Sequence, residues 1–121
     1  MEKLSKINII YEDNHLLVVV KPFNIPTCED SSKDKDLLTI LKEYIKEKYN
    51  KPGNVYVGLV HRLDRPTGGI MVFAKTSKAA SRLSKQLKEK QLKKHYLCVV
   101  NNRPQLAEDR LVTYLKKDAK T

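Results

Sequence analysis

Residues 61–68 form a short polar segment that carries the side chains of this chain best suited to chemistry. The segment reads HRLDRPTG and lies between two apolar runs, VYVGLV (residues 55–60) and IMVFA (residues 70–74). Asp64 follows Arg62 by two residues, so a carboxylate and a guanidinium share one loop, which we call the HRLD loop. A carboxylate can act as a nucleophile or as a base. A short loop between two strands presents such groups on a rigid scaffold.

The local pattern around Asp64 also fits a structural role. An aspartate in a turn commonly closes an Asx-turn or caps a helix, and Asp64 precedes the turn-forming residues 65–69, RPTGG. The paired glycines allow a backbone to approach closely. On local chemistry alone, a structural and a reactive Asp64 both stay open. His61 is expected to be a structural hydrogen-bonding residue of the loop.

The elements that position this loop are predicted from the periodicity of the chain. Residues 7–11 and 16–20 are short apolar runs joined by the polar cluster EDNH, which predicts an opening hairpin. Lys21-Pro22 ends the second strand, because proline cannot donate to a strand ladder. Residues 23–35 are rich in charged and turn-forming residues and predict a surface loop.

Two amphipathic helices are predicted, one on each side of the HRLD loop. Asp36 is the expected N-cap of a helix that runs to about Tyr49, because apolar residues recur there at helical spacing. Ser77 is the expected cap of a second helix that runs to about Gln91.

Further strands are predicted over residues 95–101 (HYLCVVN) and 111–115 (LVTYL). The resulting order of strands and helices is typical of an α+β fold. A length of 121 residues suffices for one modest core and is too short for two ordinary domains. We therefore expect a single domain over residues 1–121, with a mixed, mainly antiparallel sheet and helices packed on it.

Positive charge is concentrated in the second half of the chain. Residues 1–60 contain nine Lys and Arg against nine Asp and Glu, whereas residues 61–121 contain fifteen against five, so the net charge of +10 arises there. Such an imbalance predicts a cationic face suited to polyanions such as nucleic acid, and a solvated lysine-rich surface has the same composition. The residues expected to contact phosphates are Lys85, Lys88, Lys90, Lys93 and Lys94.

Composition also limits the class of protein. Apolar residues make up 40% of the chain and charged residues 31%, as in soluble globular proteins. No run approaches the roughly 20 apolar residues of a membrane span. Cys28 and Cys98 lack CxxC spacing and are expected to be free thiols, and the three histidines are scattered, which predicts no metal site. These observations favour a cytoplasmic protein without a membrane anchor.

Three motifs of the chain resemble those of the RluA-type RNA pseudouridine synthases, in the same order and at similar spacing. HRLDRPTGG is similar to the family motif HRLD-x-x-T-S/G-G, and residues 11–22 (YEDNHLLVVVKP) resemble the family's opening hairpin with its Lys-Pro stop. FAKT, a helix rich in Ala, Leu and Lys, and the tripeptide at residues 94–96 resemble the next segments of the family sequences. The resemblance covers roughly residues 7–100 and implies the pseudouridine synthase catalytic fold.

The resemblance implies isomerisation of uridine to pseudouridine in structured ribosomal or transfer RNA, with no cofactor. The aspartate that is catalytic in the family falls on Asp64. The motif arginine falls on Arg62 and fills the stack that the flipped uridine vacates, and the family tyrosine that contacts the target base falls on Tyr96. Without the resemblance, Tyr96 fits a half-buried strand position equally well. The carboxylate acts either as a nucleophile at C1′ or as a base that leads to a glycal, and both routes stay open.

The chain departs from the family pattern at three places. The family most often has T-S-G where residues 67–69 read TGG, and K-P-A-G where residues 21–24 read KPFN. A late G-R-x-H-Q-I-R motif, whose arginine pairs with the catalytic aspartate in the family, does not occur before Thr121. We therefore expect a C-terminally truncated catalytic domain. The alternative function is a non-catalytic RNA-binding module, and the oligomeric state is left open.

Overall fold

The computed structural model describes residues 7–118 of the chain. Its elements, in chain order, are β1 (Asn8–Glu12), β2 (Leu16–Lys21), α1 (Leu37–Lys48), β3 (Gly58–Leu59), β4 (Gly69–Ala74) and α2 (Ser77–Lys88). Each helix has 12 residues, and within the described range neither is long and apolar enough to cross a membrane. The predicted α+β class is confirmed.

The sheet has four strands in the order β1-β2-β4-β3, and every pairing within it is antiparallel. The predicted opening hairpin is confirmed. In its turn, the Asp13 carboxylate accepts hydrogen bonds of 2.7 Å from the backbone N–H groups of His15 and Leu16. β2 pairs with β4 over its whole length, and its last residue, Lys21, lies opposite Gly69. This register brings the end of β2 beside the point where the HRLD loop enters the sheet.

One face of the sheet packs against α1. Alternation along the strands turns apolar residues of β2 and β4 toward this face, because successive side chains of a strand point to opposite sides. The main buried residues are Leu17, Val19, Leu37, Ile40, Leu41, Ile45, Met71 and Phe73. Asp36 caps α1 as predicted, since its carboxylate accepts a hydrogen bond of 3.0 Å from the Thr39 N–H.

α2 differs from its prediction at both ends. Thr76 is the N-cap in place of Ser77, because Thr76 has an extended backbone and its hydroxyl accepts a hydrogen bond of 3.1 Å from the Ala79 N–H. The helix ends at Lys88, earlier than predicted. Lys90 adopts a left-handed φ of 59°, which is a common way for a chain to leave a helix.

The predicted strands over residues 95–101 and 111–115 are wrong. Both segments are exposed, and neither pairs with a strand in the described part of the chain. Residues with high strand propensity form a strand only where a neighbour satisfies their backbone groups. The predicted strand over residues 55–60 is also shorter than expected, because only Gly58–Leu59 pairs with β4.

Glu12 connects β1 with α1 and with the end of β4. Its carboxylate accepts hydrogen bonds from Tyr44, Lys75, Tyr49 and Lys48 at 2.6 to 2.9 Å. Burial raises the pKa of Glu12, but these hydrogen bonds outweigh burial and lower the pKa to about 2. The ionised carboxylate therefore fastens the edge strand to the rest of the fold.

Candidate active site

A tight backbone turn presents Asp64 to solvent. The Thr67 N–H donates to the backbone carbonyl oxygen of Asp64 at 2.8 Å and closes this turn. The Asp64 side chain is exposed, and its carboxylate forms no hydrogen bond or ion pair with residues 7–118. The turn therefore closes through the backbone and not through an Asx-turn, so the carboxylate is left accessible.

Lys21 supports the HRLD loop from below. Its side chain is fully buried, and its ammonium group donates to the carbonyl oxygens of Thr67 at 2.7 Å, Arg65 at 3.0 Å and Pro22 at 3.1 Å. All three donors of the ammonium are thus used. Burial lowers the pKa of Lys21, the Arg65 charge lowers it further, and the Asp64 charge acts in the opposite direction.

The sequence interpretation treated Lys21 only as the end of a strand and missed this contact. A signal for it was present. In a strand, residues two apart share a face, so Lys21 continues the buried series of Leu17 and Val19. A lysine at a buried position is rare and requires partners for its charge.

The loop is held at two further points. The buried Thr27 hydroxyl donates to the Leu63 carbonyl oxygen at 2.6 Å and accepts from the Leu63 N–H at 3.3 Å, directly before Asp64 in the chain. On the other side of Asp64, the Arg65 guanidinium forms an ion pair with Asp34. The exposed carboxylate therefore lies on a backbone that is fixed on both sides.

His61 has the structural role that the sequence predicted. Its imidazole Nε2 accepts a hydrogen bond of 3.1 Å from the Val72 N–H of β4. The imidazole thus accepts the hydrogen bond of a β4 backbone N–H group that lies just beyond the short pairing with β3. Burial lowers the pKa of His61, and the nearby Lys94 charge lowers it further, which favours the neutral imidazole that this bond requires.

A groove of about 770 Å³ opens beside the loop. Its lining includes residues of the HRLD loop and of β4, the end of α2 and residues 92–97. Tyr96 is 63% exposed and lines this groove, together with Lys93 and Lys94. Leu63, which precedes the Asp64 turn, and Pro66, which lies within it, line the groove as well. The groove is large enough for a nucleoside.

The predicted site residues are only partly brought together. Tyr96, Lys93 and Lys94 share the groove, whereas Asp64 and Arg62 lie on the adjoining loop and do not line it. Arg62 is exposed, and its guanidinium has no hydrogen-bond or ion-pair partner within residues 7–118. Lys85 and Lys88 are exposed on α2, and Lys90 lies in the turn after that helix.

The described residues hold no cluster suited to a metal ion. In residues 7–118, no group of three or more His, Cys, Asp or Glu side chains is arranged to coordinate one. The loop and the groove offer an exposed carboxylate, a free guanidinium, the aromatic rings of Phe23 and Tyr96 and several ammonium groups. Such a set suits a polyanionic substrate with a planar ring.

Proteins similar in sequence to this chain are named pseudouridine synthases. The chain is 37% identical over 93 residues to ribosomal large subunit pseudouridine synthase C of Buchnera aphidicola subsp. Acyrthosiphon pisum, which covers 77% of this chain and 28% of that protein. It is 37% identical over 101 residues to the dual-specificity RNA pseudouridine synthase RluA of Haemophilus influenzae, which covers 78% of this chain and 40% of that protein. The chain therefore spans well under half the length of these relatives.

A solved structure of similar fold and a matching family model indicate the same family as these relatives. The solved structure of human RNA pseudouridylate synthase domain containing 4 matches with a TM-score of 0.59 and 25% identity, over 69% of this chain and 30% of that one. The family model of RNA pseudouridylate synthase matches residues 15–121, a range that contains the HRLD loop, the groove and both helices. The chain belongs to the RNA pseudouridylate synthase family.

Proposed function

We propose that this protein isomerises uridine to pseudouridine in structured ribosomal or transfer RNA, with Asp64 as the catalytic residue. One observation supports this role above the others. The Asp64 carboxylate is exposed and unpaired within residues 7–118, while the backbone on both sides of it is fixed by Lys21, Thr27 and Arg65. A reactive group on a preorganised loop needs little rearrangement when its substrate arrives.

The isomerisation breaks the N1–C1′ glycosidic bond, turns the uracil, forms a C5–C1′ bond and releases the proton of C5. Asp64 takes part in one of two ways. As a nucleophile it attacks C1′ and is displaced when C5 bonds there, and as a base it removes a ribose proton to give a glycal. Both routes need an ionised carboxylate next to the ribose, and neither needs an added oxidant or reductant.

The target uridine must leave the RNA stack before it reaches Asp64, which costs a few kcal/mol. We assign Arg62 to the vacated stack, because its guanidinium is exposed and engaged by no described residue. We assign Tyr96 to the target base, because its exposed ring lines the groove beside the loop. A planar guanidinium and an aromatic ring both stack on bases and offset the cost of flipping.

The RNA backbone lies along the cationic second half of the chain in this proposal. Lys93 and Lys94 in the groove, and Lys85, Lys88 and Lys90 along and after α2, then face phosphates. Two of the relatives are named for ribosomal and for dual-specificity RNA modification, which supports RNA as the substrate class. Action on such RNA in turn supports a cytoplasmic location.

Residues 1–121 are proposed to act as one unit of a longer catalytic domain. Two observations support this: the chain spans 28 to 40% of the relatives named above, and many apolar residues after Leu92 are exposed in the described part of the chain. A second candidate function is a non-catalytic RNA-binding module. The observation that favours it is that Asp64 does not line the groove that Tyr96, Lys93 and Lys94 share.

The experiment that tests the function uses unmodified transcripts of ribosomal and transfer RNA. Each is incubated with the wild-type chain or the Asp64→Asn variant, digested to nucleosides and analysed for pseudouridine by chromatography. We expect product from at least one transcript with the wild type and none with the variant, while both proteins bind RNA equally. RNA binding by the wild type without product would favour the RNA-binding module.

A further inference from the structure

Phe23 is an exposed aromatic residue that the backbone holds against the HRLD loop. It is 75% exposed and follows directly after Lys21 and Pro22 at the end of β2. The next residue, Asn24, has a left-handed φ of 67°, and its N–H donates to the Arg65 carbonyl oxygen at 2.8 Å. Because anchors lie on both sides of it in the chain, the position of Phe23 beside the loop is fixed.

The Phe23 ring lies against Gly68. A Cβ atom at Gly68 would come within 3.0 Å of Cδ1 and Cε1 of Phe23 and within 3.2 Å of the Lys21 carbonyl oxygen. Two departures from the family motifs, KPFN and TGG, are therefore in contact with each other. The absence of a side chain at position 68 leaves room for the ring.

The exposed part of the ring borders the groove beside Asp64. Phe23 lines this groove along with Thr67, Tyr96, Lys93 and Lys94. An apolar ring of this size exposed to water is unfavourable by about 25 cal/mol per Å² of apolar surface. An aromatic ring next to ammonium groups is complementary to a nucleobase attached to its phosphates.

We propose that Phe23 is a stacking platform for an unpaired base of the substrate RNA next to the target uridine. This inference rests on the proposed function and adds an RNA-contacting residue to it. The positive charge around Phe23 favours RNA over an apolar protein surface as the partner of the ring. Lys93 and Lys94 lie in the same groove, and the net charge of +10 arises in residues 61–121. Stacking on a ring tolerates any base, because every base has a planar face.

The chain contains no tryptophan, so a Phe23→Trp variant carries a single tryptophan whose fluorescence can be excited selectively. The control is Ile10→Trp, because Ile10 is a half-exposed residue of β1, at the opposite edge of the sheet from β3. Each variant is titrated with a short single-stranded RNA and with an abasic ribose-phosphate oligomer of equal charge. Filter binding of the same RNA is measured for wild type, Phe23→Ala and Phe23→Tyr.

We expect RNA to quench the Phe23→Trp reporter and the abasic oligomer to leave it unchanged, with neither affecting the Ile10→Trp control. Phe23→Ala should weaken RNA binding by about 5- to 150-fold, and Phe23→Tyr should retain it. Two results together would overturn the stacking role and leave the proposed function intact. They are RNA binding without quenching of the reporter, and a Phe23→Ala variant that binds RNA with wild-type affinity. A reporter signal that depends on protein concentration alone would indicate a second copy on this surface and would also overturn the role. A wild type that binds no RNA would overturn both proposals.

Discussion

The ammonium group of Lys21 lies 2.7 Å from the carbonyl oxygen of Thr67, beneath the loop that presents Asp64. This contact joins the end of β2 to the HRLD loop, although the two residues are far apart in the chain. It also explains how a fully buried lysine is tolerated, since its three donors all find carbonyl oxygens. The position of Asp64 thus depends on a residue that takes no part in the proposed chemistry.

The Lys21→Met variant tests this support. Methionine fills a similar space and cannot donate, so the carbonyl groups beneath the loop lose their partner. We expect the free energy of unfolding to fall by about 2 to 4 kcal/mol, as measured by urea unfolding. Lys42→Met, on the exposed surface of α1, is the matched control and should stay within about 0.5 kcal/mol of wild type. Equal stability of the two variants would contradict the supporting role.

The contact between Phe23 and Gly68 is tested by a double-mutant cycle. Gly68→Ala should destabilise the chain, because its Cβ atom would press on the Phe23 ring and on the Lys21 carbonyl oxygen. In a Phe23→Ala background the same substitution meets less resistance. We expect a coupling energy of about 0.5 to 1.5 kcal/mol from unfolding curves of the four proteins. Additive effects would show that the two residues do not share this space.

Acid should weaken the fold through Glu12. Its pKa is about 2 in the folded protein and near the usual value of a glutamate when unfolded. The unfolded chain therefore binds the proton first, and the stability from Glu12 is present above the unfolded pKa and is lost as pH falls toward 2. Unfolding free energies of wild type should decline over this range.

Glu12→Gln provides the comparison for that pH series. At pH 7 it should cost about 2 to 3 kcal/mol, because the hydrogen bonds to a charged acceptor are weakened. The gap between the two proteins should then narrow as pH falls, since protonation removes the same charge from the wild type. A gap that stays constant from neutral pH to acid would contradict an ionised Glu12 at the centre of this network.

The lysines after the HRLD loop should govern the salt dependence of RNA binding. We expect a variant in which glutamine replaces four lysines, Lys88, Lys90, Lys93 and Lys94, to have a less steep plot of log affinity against log salt. The magnitude of the negative slope should fall by up to about 2.8. Replacing only Lys93 and Lys94 should reduce the magnitude of this slope by about 1.4 if both contact phosphates of a single strand. A control with Lys42 and Lys46 of α1 replaced should keep the wild-type slope, and a quadruple variant with an unchanged slope would place the RNA on another face.

Local signals in the sequence predicted the first three-quarters of the fold. The apolar run before Lys21-Pro22 and the cap at Asp36 were sufficient because both depend on near neighbours. Residues 95–101 were predicted as a strand from their composition, but strand formation depends on a partner that their sequence does not encode. The same reason accounts for the shortening of the strand before His61, whose imidazole takes up a β4 N–H group.

The candidate site was predicted in part, through motifs and not through packing. HRLD indicated Asp64 and Arg62 because a motif records chemistry at fixed spacing. Lys21, Thr27 and Phe23 were missed as parts of the site, because their contacts with the loop join residues that lie far apart in the sequence.

The central claim is that Asp64 carries out the isomerisation, and tritium release from RNA labelled at uridine C5 tests it most directly. The C5 proton must leave when the new C5–C1′ bond forms, so the assay requires no knowledge of the target site. Wild type should release tritium and Asp64→Asn should not. Asp109→Asn, which removes the same charge from an exposed position, should behave as wild type. Release by Asp64→Asn at the wild-type rate, or no release by wild type, would contradict the claim.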